Sequence, residues 1–314
     1  LCAVYDEPSV SSGDTGIFVG IEYTFNRQDA SVRLCMSKYM NKLLEHLPPS
    51  KVAATPASEG FTELDSTSPR CNQRDFASDL MSLYYVSMRT RPDILVHLTF
   101  LTSRISDCRE SDRVKLDRII RYVRYTKDRG IVLRTRGTQL IFSIDASYAI
   151  HPNGRSHSGL HVTLGDGGIP PPHYGGPIVV RSHVQKLVTL SSCEAELNAV
   201  HQYQHQFHYL RSLMTDFGFD QSLPSIVLHN NATMTLLNRG DSTNVRNSHF
   251  KVRIKFSKQM IEQGIIQYQR CPTETMPADV PSKPMHALAD MPKLLILSND
   301  EFAVLPTRFK VSNE

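Results

Sequence analysis

Several features that would point to particular classes of protein are missing from this sequence. It contains no tryptophan, and no two of its six cysteines are spaced as a CxxC pair. Without such pairs, neither a zinc knuckle nor a dense disulfide framework is expected, and a reducing, intracellular setting is the default. No apolar run reaches the length of a membrane span and no signal peptide is recognisable, so we expect no membrane partner.

The composition indicates a folded chain with a slightly basic balance. Of the 314 residues, 40% are hydrophobic and 21% are charged, which is typical of a packed core rather than of disorder. The length suggests two domains. A formal net charge of +4 permits a nucleic-acid partner without requiring one. Because the first residue is Leu1 rather than Met, we expect a fragment or a processed product of a longer protein.

The first 130 residues are predicted to be mainly helical after an initial strand. Pro92 marks the start of one helix, because proline suits the first helical turn, and Gly130 is predicted to end the last one. The predicted elements are a strand at 16–25, a helix at 36–47, a Pro/Ala/Ser linker at 48–60 and about three helices within 74–128, the last of them within 111–130.

The pattern changes near residue 131, where short β runs begin. Several β runs followed by alternating helices and strands indicate an α/β or mixed-sheet domain over about 131–300. A long Gly/Pro-rich loop is predicted at 165–177. The predicted strands are 131–134, 139–145, 158–164, 177–189, 225–229 and 264–270. The predicted helices are 192–217, 231–239 and 247–263.

Acidic or amide side chains follow predicted strand ends and one helix start. Asp145 ends the apolar run "IFSID", and the segment "SSCEAEL" carries two glutamates at the start of a helix. Ser191 and Glu194 have the spacing of a capping box, so Glu194 is predicted to hold the helix start, and Glu196 is left for another role. The other two positions are the strand end "LHNN" and Asp279 before a turn.

Two interpretations of these residues are open from spacing alone. Carboxylates gathered at one sheet edge repel each other unless a hard cation such as Mg²⁺ or Mn²⁺ neutralises them. Two such ions about 3.5–4 Å apart can serve a phosphodiester displacement. Alternatively, a strand-end Asp is simply a cap or a turn residue.

The ordered motifs make the chain recognisable. Over about 139–284 it resembles the ribonuclease H domain of copia-type retrotransposon Pol polyproteins, and upstream segments resemble the end of their reverse transcriptase. The downstream motifs are "SIDASYA", "GRSHSGL", "SSCEAEL", "LHNN", "NSHFKVRIKFSK" and "MPADVPSK". The upstream ones are "GIFVGIEY", "VAATPAS", "TRPDI" and "RYVRYTKDRGIVL".

The resemblance implies a fold and an activity. Residues 1–130 would be a mainly helical thumb or connection region with a palm-end strand. Residues 131–300 would be a ribonuclease H-like α/β domain with a mixed five-stranded sheet flanked by helices, and 301–314 a tail. The implied reaction is hydrolysis of RNA in RNA–DNA hybrids, with the hybrid and other Pol or Gag products as partners, in a cytoplasmic particle or the nucleus.

The resemblance also implies a set of site residues. Asp145, Glu196 and Asp279 would be catalytic and would bind two Mg²⁺ or Mn²⁺ ions, and Asn230 falls at the remaining catalytic position. The family has Asp where this chain has Asn230, and an amide offers an oxygen but no charge. We therefore expect weaker metal binding and impaired hydrolysis.

Other departures from the family pattern accumulate. Lys255 stands in place of a His and Ser282 in place of a Thr. The family's Trp is absent, the loop at 165–177 is long, and no YxDD turn of the polymerase is present. The alternative hypothesis is a catalytically dead nucleic-acid-binding or assembly module, or a decayed element. Another nuclease or integrase of the same superfamily is a weaker one.

Two basic clusters are candidates for contact with the nucleic-acid backbone. In the first cluster, basic residues recur every three positions on the predicted helix 111–130. A face that contacts phosphates and a merely solvated face are equally favoured interpretations. The cluster comprises Lys115, Arg118, Arg121 and Arg124. The other is favoured as a substrate contact; it comprises Arg246, Lys251, Arg253, Lys255 and Lys258.

The histidines of one predicted helix raise a further question. His201, His205 and His208 are spaced to share a face, as metal ligands or, in line with the resemblance, as mid-helix scaffold. A role for His249, catalytic or structural, stays open.

Overall fold

The computed structural model describes residues 13–46, 51–134, 137–166, 175–221, 225–228, 230–240, 248–284 and 296–297. Two five-stranded sheets organise these residues. No helix among them is long and apolar enough to span a membrane.

The first sheet is antiparallel throughout its described pairs, in the order β1-β2-β3-β4-β10. Its strands are β1 (Thr15–Phe18), β2 (Ile21–Asn26), β3 (Ser31–Cys35), β4 (Gly130–Arg134) and β10 (Ile296–Leu297). The sheet therefore joins segments that are distant in sequence.

The predicted single strand at 16–25 is wrong, because the segment is a hairpin. Val19 and Gly20 form its turn, with φ angles of 50° and 79°. A two-residue hairpin turn with positive φ at both positions suits glycine and strains a β-branched residue. Val19 carries no turn signal, so the apolar run looks continuous in the sequence.

The chain between β3 and β4 of the first sheet is mainly helical. Its α-helices are α1 (Ser37–Glu45), α2 (Gln73–Ser87), α3 (Leu95–Thr102) and α4 (Glu110–Tyr125). The predicted helical content of 74–128 is confirmed, and Pro92 begins a 3₁₀ turn, Pro92–Ile94, that leads into α3. Gly130 does not end a helix; α4 ends at Tyr125, and Gly130 begins β4.

The segment "TRPDI" forms a buried charged network between α3 and α4. The Arg91 guanidinium donates to both carboxylate oxygens of Asp93, at 3.0 and 2.8 Å, and to the Thr126 carbonyl and hydroxyl, both at 2.7 Å. The Tyr122 hydroxyl donates to Asp93 at 2.8 Å. Because Arg91 and Asp93 are almost fully buried, this network fixes the helical region as one unit.

The second sheet is mixed, in the order β7-β6-β5-β8-β9. Strands β5 (Gln139–Ser147), β6 (His157–Gly165) and β7 (Val179–Val184) are antiparallel neighbours, whereas β8 (Ser225–Leu228) and β9 (Gln267–Arg270) run parallel to β5. The predicted mixed five-stranded α/β sheet is confirmed. The strand predicted at 177–189 is shorter.

Helices pack on this sheet and supply its core. They are α5 (Ser192–Asp216), α6 (Asn231–Arg239), α7 (Ser248–Glu262) and the short α8 (Asp279–Ser282). The rings of Phe142 on β5 and Phe207 on α5 lie 5.1 Å apart, and Ile254 of α7 joins the same apolar cluster. The predicted helices at 192–217, 231–239 and 247–263 are confirmed.

Buried histidines join the helical region to the second sheet. The Phe100 ring of α3 stacks on His151 at 5.7 Å, and His151 Nε2 lies 2.9 Å from His157 Nδ1. His157 Nε2 in turn lies 2.7 Å from the Ser182 hydroxyl of β7. Burial holds the pKa of His157 well below its usual range, so this junction is uncharged at neutral pH.

Hydrogen bonding crosses the predicted domain boundary. Apart from Gly130, strands β4 and β10 lie in the predicted second domain, 131–300. Both nevertheless belong to the first sheet, where β4 pairs with β3 and with β10. The division into 1–130, 131–300 and 301–314 stays a prediction, and residues 301–314 lie outside the described residues.

Candidate functional site

Asp145 lies near the end of β5 and is fully buried. The Ser282 hydroxyl donates a hydrogen bond to Asp145 Oδ2, and Lys283 Nζ lies 3.4 Å from the same oxygen. A buried carboxylate is costly unless it is paired, and here α8 and the residue after it supply the partners.

The close approach of α8 depends on a glycine opposite Asp145. Gly159 of β6 is the register partner of Asp145. A Cβ at Gly159 would lie 2.7 Å from the Ala278 carbonyl oxygen and 2.8 Å from the Ser282 amide nitrogen. Only glycine therefore lets α8 rest directly on the β6 backbone and bring Ser282 to Asp145.

The two glutamates of "SSCEAEL" have different roles, as predicted. Ser191 caps α5 and accepts from the Glu194 amide at 3.2 Å. The Glu194 carboxylate accepts from the Leu190 amide at 2.8 Å, one residue before the cap rather than at it. Glu194 is half-buried, whereas Glu196 is 2% exposed.

Electrostatics couple Glu196 to Asp145. Burial, reinforced by the Asp145 charge, raises the pKa of Glu196 to about 8. Hydrogen bonds from Asn230 and Thr233 and the attraction of Lys283 act in the opposite direction but are outweighed. Without a bound cation, Glu196 is therefore mostly protonated at neutral pH.

Asn230 is the N-cap of α6. Its Oδ1 accepts from the amides of Ala232 and Thr233 at 2.9 and 3.2 Å. The amide NH₂ then faces the Glu196 carboxyl and donates to it. Asn230 thus lies beside the predicted carboxylates, with its oxygen committed to the helix and a donor turned towards the site.

Asp279 begins α8 and is bridged to Asp145 by a cation of the chain itself. Lys283 Nζ lies 2.5 Å from Asp279 Oδ1 and 3.4 Å from Asp145 Oδ2. Burial alone would lower the pKa of Lys283, but its attraction to Asp145 and Asp279 outweighs that effect and raises it. Lys283 is not among the residues predicted for the site, although its i,i+4 spacing from Asp279 signals such a pair.

The described arrangement does not fit a two-ion centre. No three His, Cys, Asp or Glu side chains in the described ranges converge closely enough to hold a metal ion. Lys283 occupies the side between Asp145 and Asp279, and Asn230 presents a donor to Glu196. Lys283 pairs with Asp145 and Asp279, and Asn230 and Thr233 hydrogen-bond to Glu196, so groups of the chain itself satisfy these side chains. Their predicted role as metal-binding catalytic residues stays a prediction.

The basic residues of α7 fall into two groups. Lys251 and Lys255 are exposed one turn apart. Arg253 instead donates to Asn198 of α5 at 2.7 Å, and Lys258 lies 3.7 Å from Glu262. Arg246 lies outside the described residues, as does the side chain of His249. The predicted nucleic-acid role of this cluster stays a prediction, carried by Lys251 and Lys255.

The basic side chains of α4 make hydrogen bonds to other parts of the chain, three of them to the segment that precedes α2. Lys115 donates to the Glu63 carbonyl at 2.5 Å, and Arg118 to the Thr55 hydroxyl at 2.9 Å. Arg124 donates to the Leu44 carbonyl at 3.3 Å, and Arg121 to a carbonyl of its own helix. Contact of Arg118 and Arg121 with nucleic acid stays a prediction that these contacts do not favour.

The histidines of α5 have local contacts. His201 Nδ1 lies 3.0 Å from Gln204 Oε1, and His205 Nε2 lies 3.2 Å from Gln206 Nε2. The His208 ring meets Phe207 edge-on. Each ring has its own neighbour along the helix.

Comparison with known proteins gives relatives of one kind. No family model matches. The chain is 27% identical over 281 residues to a retrovirus-related Pol polyprotein from transposon RE2 of Arabidopsis thaliana, which is 88% of this chain and 18% of that protein. It is 24% identical over 278 residues to the Pol polyprotein from transposon TNT 1-94 of Nicotiana tabacum, covering 84% and 20%. The predicted resemblance to retrotransposon Pol polyproteins is confirmed, and the chain spans about a fifth of their length.

Solved structures give weaker likenesses. LC11-RNase H1, isolated from compost, is 14% identical with a TM-score of 0.34, over 46% of this chain and 92% of that one. RNase H1 from Halobacterium salinarum NRC-1 is 15% identical with a TM-score of 0.30, over 45% and 90%. The foamy viral protease-reverse transcriptase in complex with RNA/DNA hybrid is 12% identical with a TM-score of 0.46, over 83% and 29%.

Proposed function

We propose that this chain is a retrotransposon-derived Pol fragment, from the end of the reverse transcriptase through the ribonuclease H domain. Its second sheet carries a ribonuclease H-type site that binds RNA–DNA hybrids and hydrolyses their RNA strand poorly. The observation that carries the proposal is a chain of pairwise contacts beside the end of β5: Lys283 bridges Asp145 and Asp279, and Asn230 hydrogen-bonds to Glu196, which feels the charge of Asp145.

The charge of the site supports impairment. Three carboxylates face one ammonium, and Glu196 is mostly protonated at neutral pH because its pKa is about 8. Two divalent ions in this space would meet little net negative charge. A divalent ion would have to displace Lys283 from Asp145 and Asp279 before it could bind these carboxylates, which weakens any such binding.

The exposed lysines of α7 support binding of a nucleic-acid backbone. Lys251 and Lys255 lie on the helix that packs beside α5 and α6, which carry Glu196 and Asn230. Two ammonium groups on one exposed face suit phosphates and leave base sequence unread. The proposed partners are the hybrid and other Pol or Gag products.

The test is cleavage and binding of a labelled RNA–DNA hybrid by the native chain, in Mg²⁺ and in Mn²⁺. Asp145→Asn removes the buried carboxylate, and Asp216→Asn, at the exposed end of α5, is the matched control. We expect slow cleavage by the native chain and by Asp216→Asn, none by Asp145→Asn, and similar hybrid affinity for all three.

A second candidate function is a hybrid-binding module without nuclease activity, which the Lys283 bridge and the Asn230 donor favour. Binding without cleavage by the native chain in either metal would select it. A chain that neither cuts nor binds hybrid would contradict both functions.

A further inference from the structure

Two cysteines face each other just before the starts of α2 and α4. Residues 69–71 and 108–110 form a short antiparallel ladder around the bridge between Arg70 and Arg109. The Cys71 amide donates to the Cys108 carbonyl at 3.2 Å, and the Glu110 amide donates to the Pro69 carbonyl at 2.9 Å. Cys71 and Cys108 are therefore directly opposite each other and are joined by one backbone hydrogen bond.

This backbone arrangement has the dimensions of a disulfide. Opposed residues in a hydrogen-bonded antiparallel pair have Cα atoms about 5.5 Å apart, and disulfides span Cα distances of about 4.4–6.8 Å. The two side chains leave the ladder on the same face, and their Sγ atoms lie 2.8 Å apart as free thiols. The two thiols therefore already face each other across the ladder.

The two thiols differ in access. Cys108 is 3% exposed, whereas Cys71 is only partly buried. A small oxidant in solution can therefore reach Cys71 first, with Cys108 in place behind it as the second thiol.

We propose that Cys71 and Cys108 are a redox modification site that closes to a disulfide when the protein meets a hydroperoxide. The Cys71 sulfur attacks one oxygen of H₂O₂, an S–O bond forms, the O–O bond breaks and hydroxide leaves. The Cys108 sulfur then attacks the resulting sulfenic sulfur, an S–S bond forms, the S–O bond breaks and water leaves. Two thiols and one peroxide give one disulfide and two waters, and a thiol reductant reverses the change.

The disulfide would lock two helix starts together. Cys71 precedes Asn72, the N-cap of α2, and Cys108 precedes Arg109, the N-cap of α4. The bond would add a covalent tie near the contacts that Lys115 and Arg118 of α4 already make with Glu63 and Thr55. A cross-link closing a loop of this kind stabilises a protein by restricting its unfolded chain.

The rate of closure follows from the surroundings of Cys71. Burial and the contact with Cys108 raise the pKa of Cys71 to about 12. Because the thiolate is the nucleophile, oxidation is expected to be slow at neutral pH and to accelerate as the pH rises.

The experiment exposes the full chain to hydrogen peroxide at pH 7 and pH 9, quenches with an alkylating agent and maps the peptides by mass spectrometry. We expect a peptide pair joined through Cys71 and Cys108, lighter by two hydrogens than the separate thiol peptides, forming faster at pH 9. The joined pair should vanish on reduction, and oxidation should raise the melting temperature by roughly 5 °C.

Serine variants make the result specific. Cys71→Ser and Cys108→Ser should each abolish the joined pair and the rise in melting temperature, and Cys193→Ser, on α5, should keep both. The proposal is overturned if Cys71 and Cys108 are both alkylated after peroxide treatment, or if Cys71 pairs with a different cysteine.

Discussion

Two buried charged clusters in this protein are built from similar side chains and have opposite electrostatic character. In the helical region, Arg91 and Asp93 form a bidentate pair completed by Tyr122 and Thr126. Beside the second sheet, Asp145, Glu196 and Asp279 share the single ammonium of Lys283, which is 46% exposed. The first cluster is balanced, whereas the second has an excess of acid.

The pKa shifts express this difference. Burial would raise the pKa of Asp93, but the adjacent Arg91 outweighs burial and lowers it. At Glu196, burial together with the charge of Asp145 outweighs the hydrogen bonds from Asn230 and Thr233 and the attraction of Lys283, and it raises the pKa to about 8. Breaking a balanced buried pair leaves one charge uncompensated and destabilises the fold, whereas an acidic cluster with a cation shortage carries a perturbed pKa of the kind found at functional sites.

The largest expected effect comes from unbalancing the helical cluster. Arg91→Met leaves Asp93 buried without its cation and should lower the free energy of unfolding by about 3–5 kcal/mol. Urea denaturation measures it. The double variant Arg91→Met with Asp93→Leu should lose less than the single one, and a loss below about 1 kcal/mol for Arg91→Met would contradict a structural role for this pair.

The next largest effect is a pH dependence of the acidic cluster. The Glu196 carboxyl ionises near 4.5 in the unfolded chain and near 8 in the folded one, so the unfolding free energy should fall as pH rises from about 4.5 to 8. In metal-free buffer, Glu196→Gln should remove this fall and stabilise the protein by about 2–4 kcal/mol above pH 8. Denaturation curves at pH 5 and pH 8.5 measure it, with Glu194→Gln, two residues away on α5 and only half-buried, as control. An equal pH dependence in native and Glu196→Gln chains would contradict the assignment.

A smaller effect is expected where α8 rests on β6. In Gly159→Ala the added methyl meets backbone atoms of Ala278 and Ser282, so α8 must shift and stability should fall by about 1–3 kcal/mol. Gly165→Ala on the same strand is the control, because its methyl meets only the movable end of Ile141. Thermal melts compare the two, and equal losses would mean that α8 does not depend on Gly159.

The smallest effect on stability is expected at the ammonium. Lys283→Met should cost about 1–2 kcal/mol without metal, since the lysine is half exposed, and should tighten Mn²⁺ binding about tenfold by removing a competing positive charge. Calorimetric titration with Mn²⁺ measures this affinity, with Lys251→Met as control. Weaker Mn²⁺ binding by Lys283→Met would show that the lysine supports a cation rather than displacing it.

Sequence analysis identified the positions of the site better than their contacts. The capping pattern around Ser191 separated Glu194 from Glu196 because a cap is a local device that spacing reveals. The strands that bring Asp145 beside Asn230 were also recognisable, since their apolar runs are short and bounded by turns.

The partners of these residues depend on tertiary structure. The sequence shows that Asn230 replaces a carboxylate but not that its oxygen caps α6 while its NH₂ faces Glu196. The role of Gly159 depends on the packing of α8 against β6. These two elements are far apart in sequence, so local spacing does not reveal that Gly159 faces Ala278 and Ser282. The hairpin at Val19 escaped detection because the turn uses a residue that disfavours it.

The measurement that tests the central claim most directly is the rate of hybrid cleavage in Mn²⁺ after restoring one charge. Asn230→Asp and Asn231→Asp each add a carboxylate at the start of α6, but only residue 230 faces Glu196. We expect Asn230→Asp to cut at least about tenfold faster than the native chain and Asn231→Asp to match it. Equal rates for all three chains would contradict the claim that the missing charge at Asn230 limits this site.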